Sequence, residues 1–177
     1  MAELDEPIEV VSYDPSWAEA FTQEAGQLRS ALGPSALAIE HIGSTSVPGL
    51  AAKPVVDIVV AVRDLSLDSA EAAAVTSLGY ESLGEGGVPG RLYFRKRGGR
   101  RFNVHLTLLR SSLWEENLLL RDFLRAHPAE ARAYEALKRT AAREAPFLLA
   151  YSDRKAPFIT QLIERANQWR ASIPRRD

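Results

Sequence analysis

The stretch from His41 to Val60 most restricts what this chain can fold into. Leu37 to Ile42 is a short apolar run broken by Glu40 and His41, and Val55 to Val62 is β-branched almost throughout. Between them lies a loop of small residues, Gly43-Ser44-Thr45-Ser46-Val47-Pro48-Gly49. β-branched side chains suit a pleated, half-buried surface, so the second run reads as a central strand. Asp57 stands inside it. A carboxylate there is costly unless it faces a polar cleft, a cation or a hydrogen-bonding partner. The loop has two readings. Gly43 permits close backbone approach and Ser44, Thr45 and Ser46 place hydroxyls beside exposed N–H groups, an arrangement that can wrap phosphate oxygens. The same residues also make a plain turn bonded to its own backbone.

A length of 177 residues suits one domain over 1–177, with a sheet core at 8–110 and a helical part at 111–172. Apolar residues at 46% and charged ones at 25% describe an ordinary globule, and the net charge of −1 exerts no global pull on nucleic acid or anionic membrane. The absence of cysteine excludes a disulfide framework, a thiolate metal site and a thiol nucleophile. No apolar run approaches the ~20 residues that span a bilayer, and no signal-peptide pattern opens the chain. The expectation is a cytoplasmic protein without membrane contact. Met1–Pro7 and Pro174–Asp177 read as tails.

In chain order, Ile8–Val11 is a short β-leaning run. Ser16-Trp17-Ala18-Glu19 has capping-box spacing for a helix that Gly33-Pro34 stops, with Trp17, Phe21, Leu28 and Leu32 on its apolar face. Ser66–Leu78 predicts an alanine-rich helix closed by Gly79. Leu83–Gly90, with four glycines and Glu85, is either a loop able to close over a ligand or a plain connection. Arg91–Arg97 and Arg100–Leu109 form a hairpin about Gly98-Gly99. In the second hairpin strand Phe102, Val104, Leu106 and Leu108 share one face, and Arg101, Asn103, His105 and Thr107 the other. The remainder predicts helices opening at Ser112, at Pro128 and at Ser152, the last with Pro157 in its first turns.

The run His41-Ile42-Gly43-Ser44-Thr45-Ser46-Val47-Pro48-Gly49-Leu50-Ala51-Ala52-Lys53-Pro54, followed by Asp57-Ile58, resembles the GrpB family. Gly84-Glu85, Gly90-Arg91, Arg121-Asp122-Phe123-Leu124-Arg125, Tyr134 with Lys138 and Tyr151 with Lys155 also match it. GrpB members stand alone or are fused to the C-terminus of some dephospho-CoA kinases. Gly43-Ser44 and Asp57 further resemble the opening of the nucleotidyltransferase superfamily, the DNA polymerase beta-like fold. The implied architecture is α/β: a nucleotidyltransferase-like small mixed sheet with helices on one face and a helical C-terminal third. In that superfamily a Gly-Ser turn holds the nucleotide, and an Asp-x-Asp or Asp-x-Glu pair binds a divalent metal.

Here the second carboxylate position is Val59, which cannot bind metal. The later strand that carries the superfamily's third carboxylate offers His105 as its central polar residue. Asp57 and His105 are thus the candidate catalytic pair. With His41 they make a candidate metal set, for which Mg²⁺, Mn²⁺ and Zn²⁺ are the ions to consider. An orienting hydrogen bond is the competing role for either histidine.

Arg91, Arg95, Lys96, Arg97, Arg100 and Arg101 fall within eleven residues. Arg97 and Arg100 read as a solvated tip, and Arg91, Arg95 and Arg101 as a phosphate clamp. Arg121 with Arg125 offers two cations on one helix face, or internal ion pairs. With Lys53, Lys138 and Lys155 they complete the phosphate-binding candidates. The leading reading is a protein that binds a nucleotide or other phosphorylated small molecule, with divergent metal-dependent transfer as its extension. The alternatives are a non-catalytic accessory or folding module, and a small RNA-binding protein that uses the hairpin.

Overall fold

The computed structural model describes residues 5–66 and 69–173. Among them five strands form one mixed sheet: β1 (Ala38–Ile42), β2 (Val55–Val62), β3 (Glu81–Ser82), β4 (Arg91–Lys96) and β5 (Arg101–Leu108), in the spatial order β1-β2-β5-β4-β3. β2 and β5 run parallel, and the other pairs are antiparallel. The long crossover that a parallel pair requires carries α2 (Ala70–Ser77) and the strands β3 and β4.

Alternation decides the two faces. Val56, Ile58 and Val60 on β2, Val104 and Leu106 on β5 and Phe94 on β4 are sealed beneath α2 and α1 (Ser16–Leu32). Asp57, Asn103, His105, Tyr93 and Arg91 fall on the opposite face. That face is covered at its β1/β2 end, where α3 (Ser112–Ala126) lays Trp114 on Ile42, Val59 and Ala61. A third cluster joins Val47 and Leu50 of the loop to Leu119, Phe123, Tyr134 and Leu162. These belong to α3, α4 (Pro128–Glu144) and α5 (Leu148–Ser172). The expected mixed sheet and helical C-terminal third are both present, and the helical third also closes over part of the second face.

Several helix starts differ from expectation. Asp14, not Ser16, accepts the first free N–H of α1, at 2.9 Å from Ser16 N. Ser111, one residue earlier than expected, caps α3 by accepting from Trp114 N. Ser69 caps α2, which begins at Ala70 rather than Ser66; residues 67 and 68 lie outside the described part. α5 begins at Leu148 and carries Pro157 within it, so Ser152 caps nothing. The run 8–11 forms no regular strand, only an isolated bridge from Val11 to Ala52.

The expected N-terminal tail is in part attached. Asp5 accepts from Leu149 N, Glu6 pairs with Arg97, and Pro7 bridges to Phe147. Residues 1–4 and 174–177 lie outside the described part.

Candidate functional site

Asp57 enters the polar face because β2 alternates, and its neighbours follow from the register. On parallel β5 it lies opposite Asn103, while Val59 lies opposite His105. The Asn103 Nδ2 donates to Asp57 Oδ1 at 2.7 Å, and its Oδ1 accepts from the Tyr93 hydroxyl at 2.9 Å and from Arg97 at 3.0 Å. With both ends engaged, the amide has one orientation. His105 is fixed in the same way. An Arg91 guanidinium nitrogen lies 3.0 Å from its Nδ1. Arginine has no acceptor, so Nδ1 must be the unprotonated nitrogen and the ring proton sits on Nε2, 3.8 Å from Asp57 Oδ1.

Arg91 is itself held by the glycine loop. Its other nitrogens donate to the carbonyls of Glu85 and Gly86, each at 3.0 Å. Gly86, at φ 54°, packs so closely on the Tyr93 ring that an added Cβ would sit 2.7 Å from it.

Burial alone would raise the Asp57 pKa. Hydrogen bonding to His105, the charge of Lys53 and the Asn103 amide more than offset it, and the carboxyl lies well below its ordinary range. Asp57 is therefore ionised. Its Oδ1 faces Asn103 and His105, whereas Oδ2 faces Gly43.

Gly43 has φ 70° and ψ −173°, a backbone region open in practice to glycine alone. A Cβ there would lie 2.7 Å from Asp57 Oδ2. The loop hydroxyls then divide. Ser46 Oγ donates to Gly43 O at 2.6 Å and Thr45 Oγ1 meets His41 Nε2 at 3.0 Å, both buried. Those two follow the plain-turn reading. Ser44 keeps some exposure beside exposed Gly43 and is within reach of the Tyr134 hydroxyl.

The helical third grips this loop through its backbone. Arg125 donates twice to Ser46 O, at 2.7 and 2.9 Å, and Arg121 donates to His41 O and to Glu40. Both peptide groups of Ala51 are taken by α4: Glu135 accepts from its N–H and the buried Lys138 ammonium donates to its carbonyl. Lys155 lies in a different setting. Its Nζ stands 4.1 Å from the centroid of the Tyr151 ring, and it feels the charges of Lys53 and Asp57. Burial, and then Lys53, lower its pKa to about 8. Neither Lys53 nor Lys155 has an acidic partner among the described residues.

The sequence pattern of the GrpB protein family matches residues 7–165. The chain belongs to the GrpB family. It is 38% identical to the UPF0157 protein YqkA of Bacillus subtilis over 92% of its own length, and it spans 48% of that protein. A UPF0157 protein of Deinococcus radiodurans is 39% identical over 91% of the chain and 84% of the relative. Dephospho-CoA kinase of Mycobacterium tuberculosis matches at 30% identity over 94% of the chain, which covers 48% of that enzyme. Among solved structures, the conserved protein GrpB from Enterococcus faecalis superposes at a TM-score of 0.81 with 36% identity, over 91% of this chain and 99% of that one. Terminal uridylyl transferase 4 from Trypanosoma brucei with bound UTP overlays at 15% identity and a TM-score of 0.49, a likeness too slight to bear on function.

Several expected site residues of this GrpB chain have other employment. Arg95 is buried and bonded to Glu81. Arg121 ties β1 to α3, and Lys138 pins Ala51. Arg101 is exposed at the start of β5, where it lines a cavity of about 600 Å³ with Trp17, Lys53 and Arg100. Arg91 lies on the polar face, but it orients His105. Asn103 is a site residue that the sequence alone does not single out. Its place on the polar face was legible from alternation, but its pairing with Asp57 emerges only from the parallel register.

His41 stands opposite Ile58, on the α1 side of the sheet, stacked on Phe21 at 4.8 Å. It cannot join Asp57 and His105 at a common ion. Burial pushes its pKa down to about 4. The folded-state value is then below the unfolded one, so its stability contribution is complete above about pH 6.5 and is lost as pH falls towards 4, a change on the order of 3 kcal/mol. Urea unfolding of wild type and His41→Gln across that window should show a steeper loss on acidification in wild type; parallel pH profiles would refute the assignment.

The donor set does not fit the divalent metal that the resemblance of Gly43-Ser44 and Asp57 implies. Among the described residues no group of three or more His, Asp or Glu side chains could hold an ion. Val59 fills the second carboxylate position and is fully buried. Asn103 faces Asp57 with an N–H, and the His105 lone pair is directed at Arg91. One free carboxylate oxygen, Asp57 Oδ2, defines no coordination geometry.

Proposed function

We propose that this chain binds a nucleotide or another phosphorylated small molecule between the Gly43-Ser44 turn and the polar face of the sheet. The observation that carries this reading is the direct approach of the bare Gly43 backbone to Asp57 Oδ2, at a place flanked by two lysines without acidic partners. The lysines supply charge for phosphate oxygens. Ser44 offers them a part-exposed hydroxyl, and Asp57 Oδ2 accepts from a hydroxyl or amine elsewhere on the ligand. The Gly-Ser turn before an acidic strand, as in the nucleotidyltransferase fold, supports the same placement. Group transfer on a reduced site of this kind is the extension of that reading. Phosphoryl chemistry rests mostly on positioning and charge, so losing metal ligands impairs catalysis more than binding.

The match to the mycobacterial kinases favours one further reading, an accessory module that holds a coenzyme A precursor without transforming it. The RNA reading gains little, because three hairpin cations are ion-paired within the chain, Arg95 with Glu81, Lys96 with Glu24 and Arg97 with Glu6, which leaves Arg100 and Arg101 exposed at the tip.

A thermal-shift panel of nucleoside mono-, di- and triphosphates, dephospho-CoA and coenzyme A separates these readings. A ligand at about 100 times its Kd should stabilise by about 2.7 kcal/mol, or roughly 5–10 °C. Stabilisation confined to dephospho-CoA and coenzyme A would favour the accessory reading. No response to any phosphorylated compound, with salt-sensitive binding of single-stranded RNA, would overturn the proposal.

A further inference from the structure

Beside Asp57, the places where further metal-binding carboxylates would be expected hold groups that repel or ignore cations. The apolar Val59 side chain lies under Trp114. Asn103 presents its amide hydrogens to Asp57, held there because its oxygen accepts from Tyr93 and Arg97. Arg91 keeps the His105 proton on the nitrogen facing Asp57 and leaves no lone pair for an ion. Two ammonium groups of the chain act on this carboxylate, or feel it, through their charge. Lys53 comes from the loop before β2, and Lys155 from α5. The Lys155 ammonium stands over the ring of Tyr151, which is itself almost fully buried.

The charge count is what matters. Phosphate oxygens need cationic neutralisation, and a divalent ion supplies two positive charges from a carboxylate cage. Two lysines supply the same two charges without a cage. Each ammonium has three donors and, among the described residues, no ion-pair partner.

We infer that the site takes its phosphorylated ligand without a divalent metal, with the Lys53 and Lys155 ammonium groups standing where the ion would otherwise neutralise the phosphates. Both lysines are half-buried, so their charges act through a lower dielectric than that of bulk water. The inference rests on the phosphoester-binding function proposed above, and deepens it by assigning the source of positive charge.

The probe is inorganic pyrophosphate, titrated calorimetrically into the full chain once with EDTA and once with Mg²⁺. Affinities within about threefold of each other are expected. Lys155→Met should weaken binding about 10-fold, and Lys155→Arg should restore most of it, since charge rather than shape is lost. Lys53→Met serves as the second variant, and circular dichroism confirms the fold of each.

A Mn²⁺ titration read by electron paramagnetic resonance should find no stoichiometric site. Pyrophosphate binding that appears only with Mg²⁺, or a Mn²⁺ site abolished by Asp57→Ala, would overturn the inference and leave the binding function standing. Absence of pyrophosphate binding in both arms, in a protein that also fails every member of the nucleotide panel, would overturn both.

Discussion

Asp57→Ala should weaken binding of the tightest nucleotide or coenzyme A compound in the panel by roughly 10- to 100-fold, while pyrophosphate binds as well as before or better. The split follows from where the carboxylate stands. Its Oδ1 is held by Asn103 and faces the His105 N–H, so only Oδ2 is left to accept from a ligand hydroxyl or amine, a group that pyrophosphate lacks. Removing the negative charge also removes an anion whose field reaches both Lys53 and Lys155, which favours an incoming anion.

The fold should survive Asp57→Ala. Asn103 loses an acceptor, at a cost of about 1–3 kcal/mol if no water replaces it, and the one-fifth exposure of the Asp57 side chain lets water in. A few degrees of Tm is the expected loss. Calorimetry with both ligands, beside a melting curve, checks each half. Parallel collapse of pyrophosphate and nucleotide binding would mean that Asp57 reaches phosphate through a metal. Unfolding would mean that it is structural.

Gly43→Ala should be the most destabilising single-methyl change in the loop. The ψ near 180° at positive φ costs about 1–3 kcal/mol for a residue with a Cβ. The methyl would also lie 2.7 Å from Asp57 Oδ2, on a carboxylate that Asn103 prevents from turning away. A Tm loss of roughly 5–10 °C is expected, together with loss of ligand binding. The double variant Gly43→Ala with Asp57→Ala distinguishes the two sources. Its loss should be smaller than the sum of the single losses, because the clash partner is gone; strict additivity would place the whole cost in the backbone.

The fold was legible wherever one period dominated a segment. β2 matches the β-branched run from Val55 to Val62, and the alternation of β4 and β5 about Gly98-Gly99 gave their pairing and faces. Starts of helices were less legible for a local reason: adjacent residues of equal capping chemistry, such as Ser111 and Ser112, differ only in which backbone N–H the chain brings to them. The start of α5 is hidden in the sequence because Pro157 suits a first turn, whereas packing of Leu162 and Ala166 sustains a helix that begins well before it.

At the site, the cost of an ionised group in an oily strand singled out Asp57, and the glycine requirement singled out Gly43. What could not be read was pairing over long distances in sequence. Whether Arg97 meets solvent or Glu6, Arg121 a phosphate or the His41 carbonyl, and Lys138 a ligand or Ala51, depends on elements far apart in the chain. A cation looks the same in sequence whichever anion it meets. The pairing of Asp57 with Asn103 was hidden likewise, since neither strand's own pattern sets the register between them.

The grip of α3 and α4 on the backbone at Ser46 and Ala51 means that the mouth of the site is not shaped by the sheet alone. The bend depends for its posture on residues more than seventy positions downstream. Selection acting on those helices, even at positions that never approach a ligand, therefore also tunes recognition, and the two halves of the chain must evolve as one instrument.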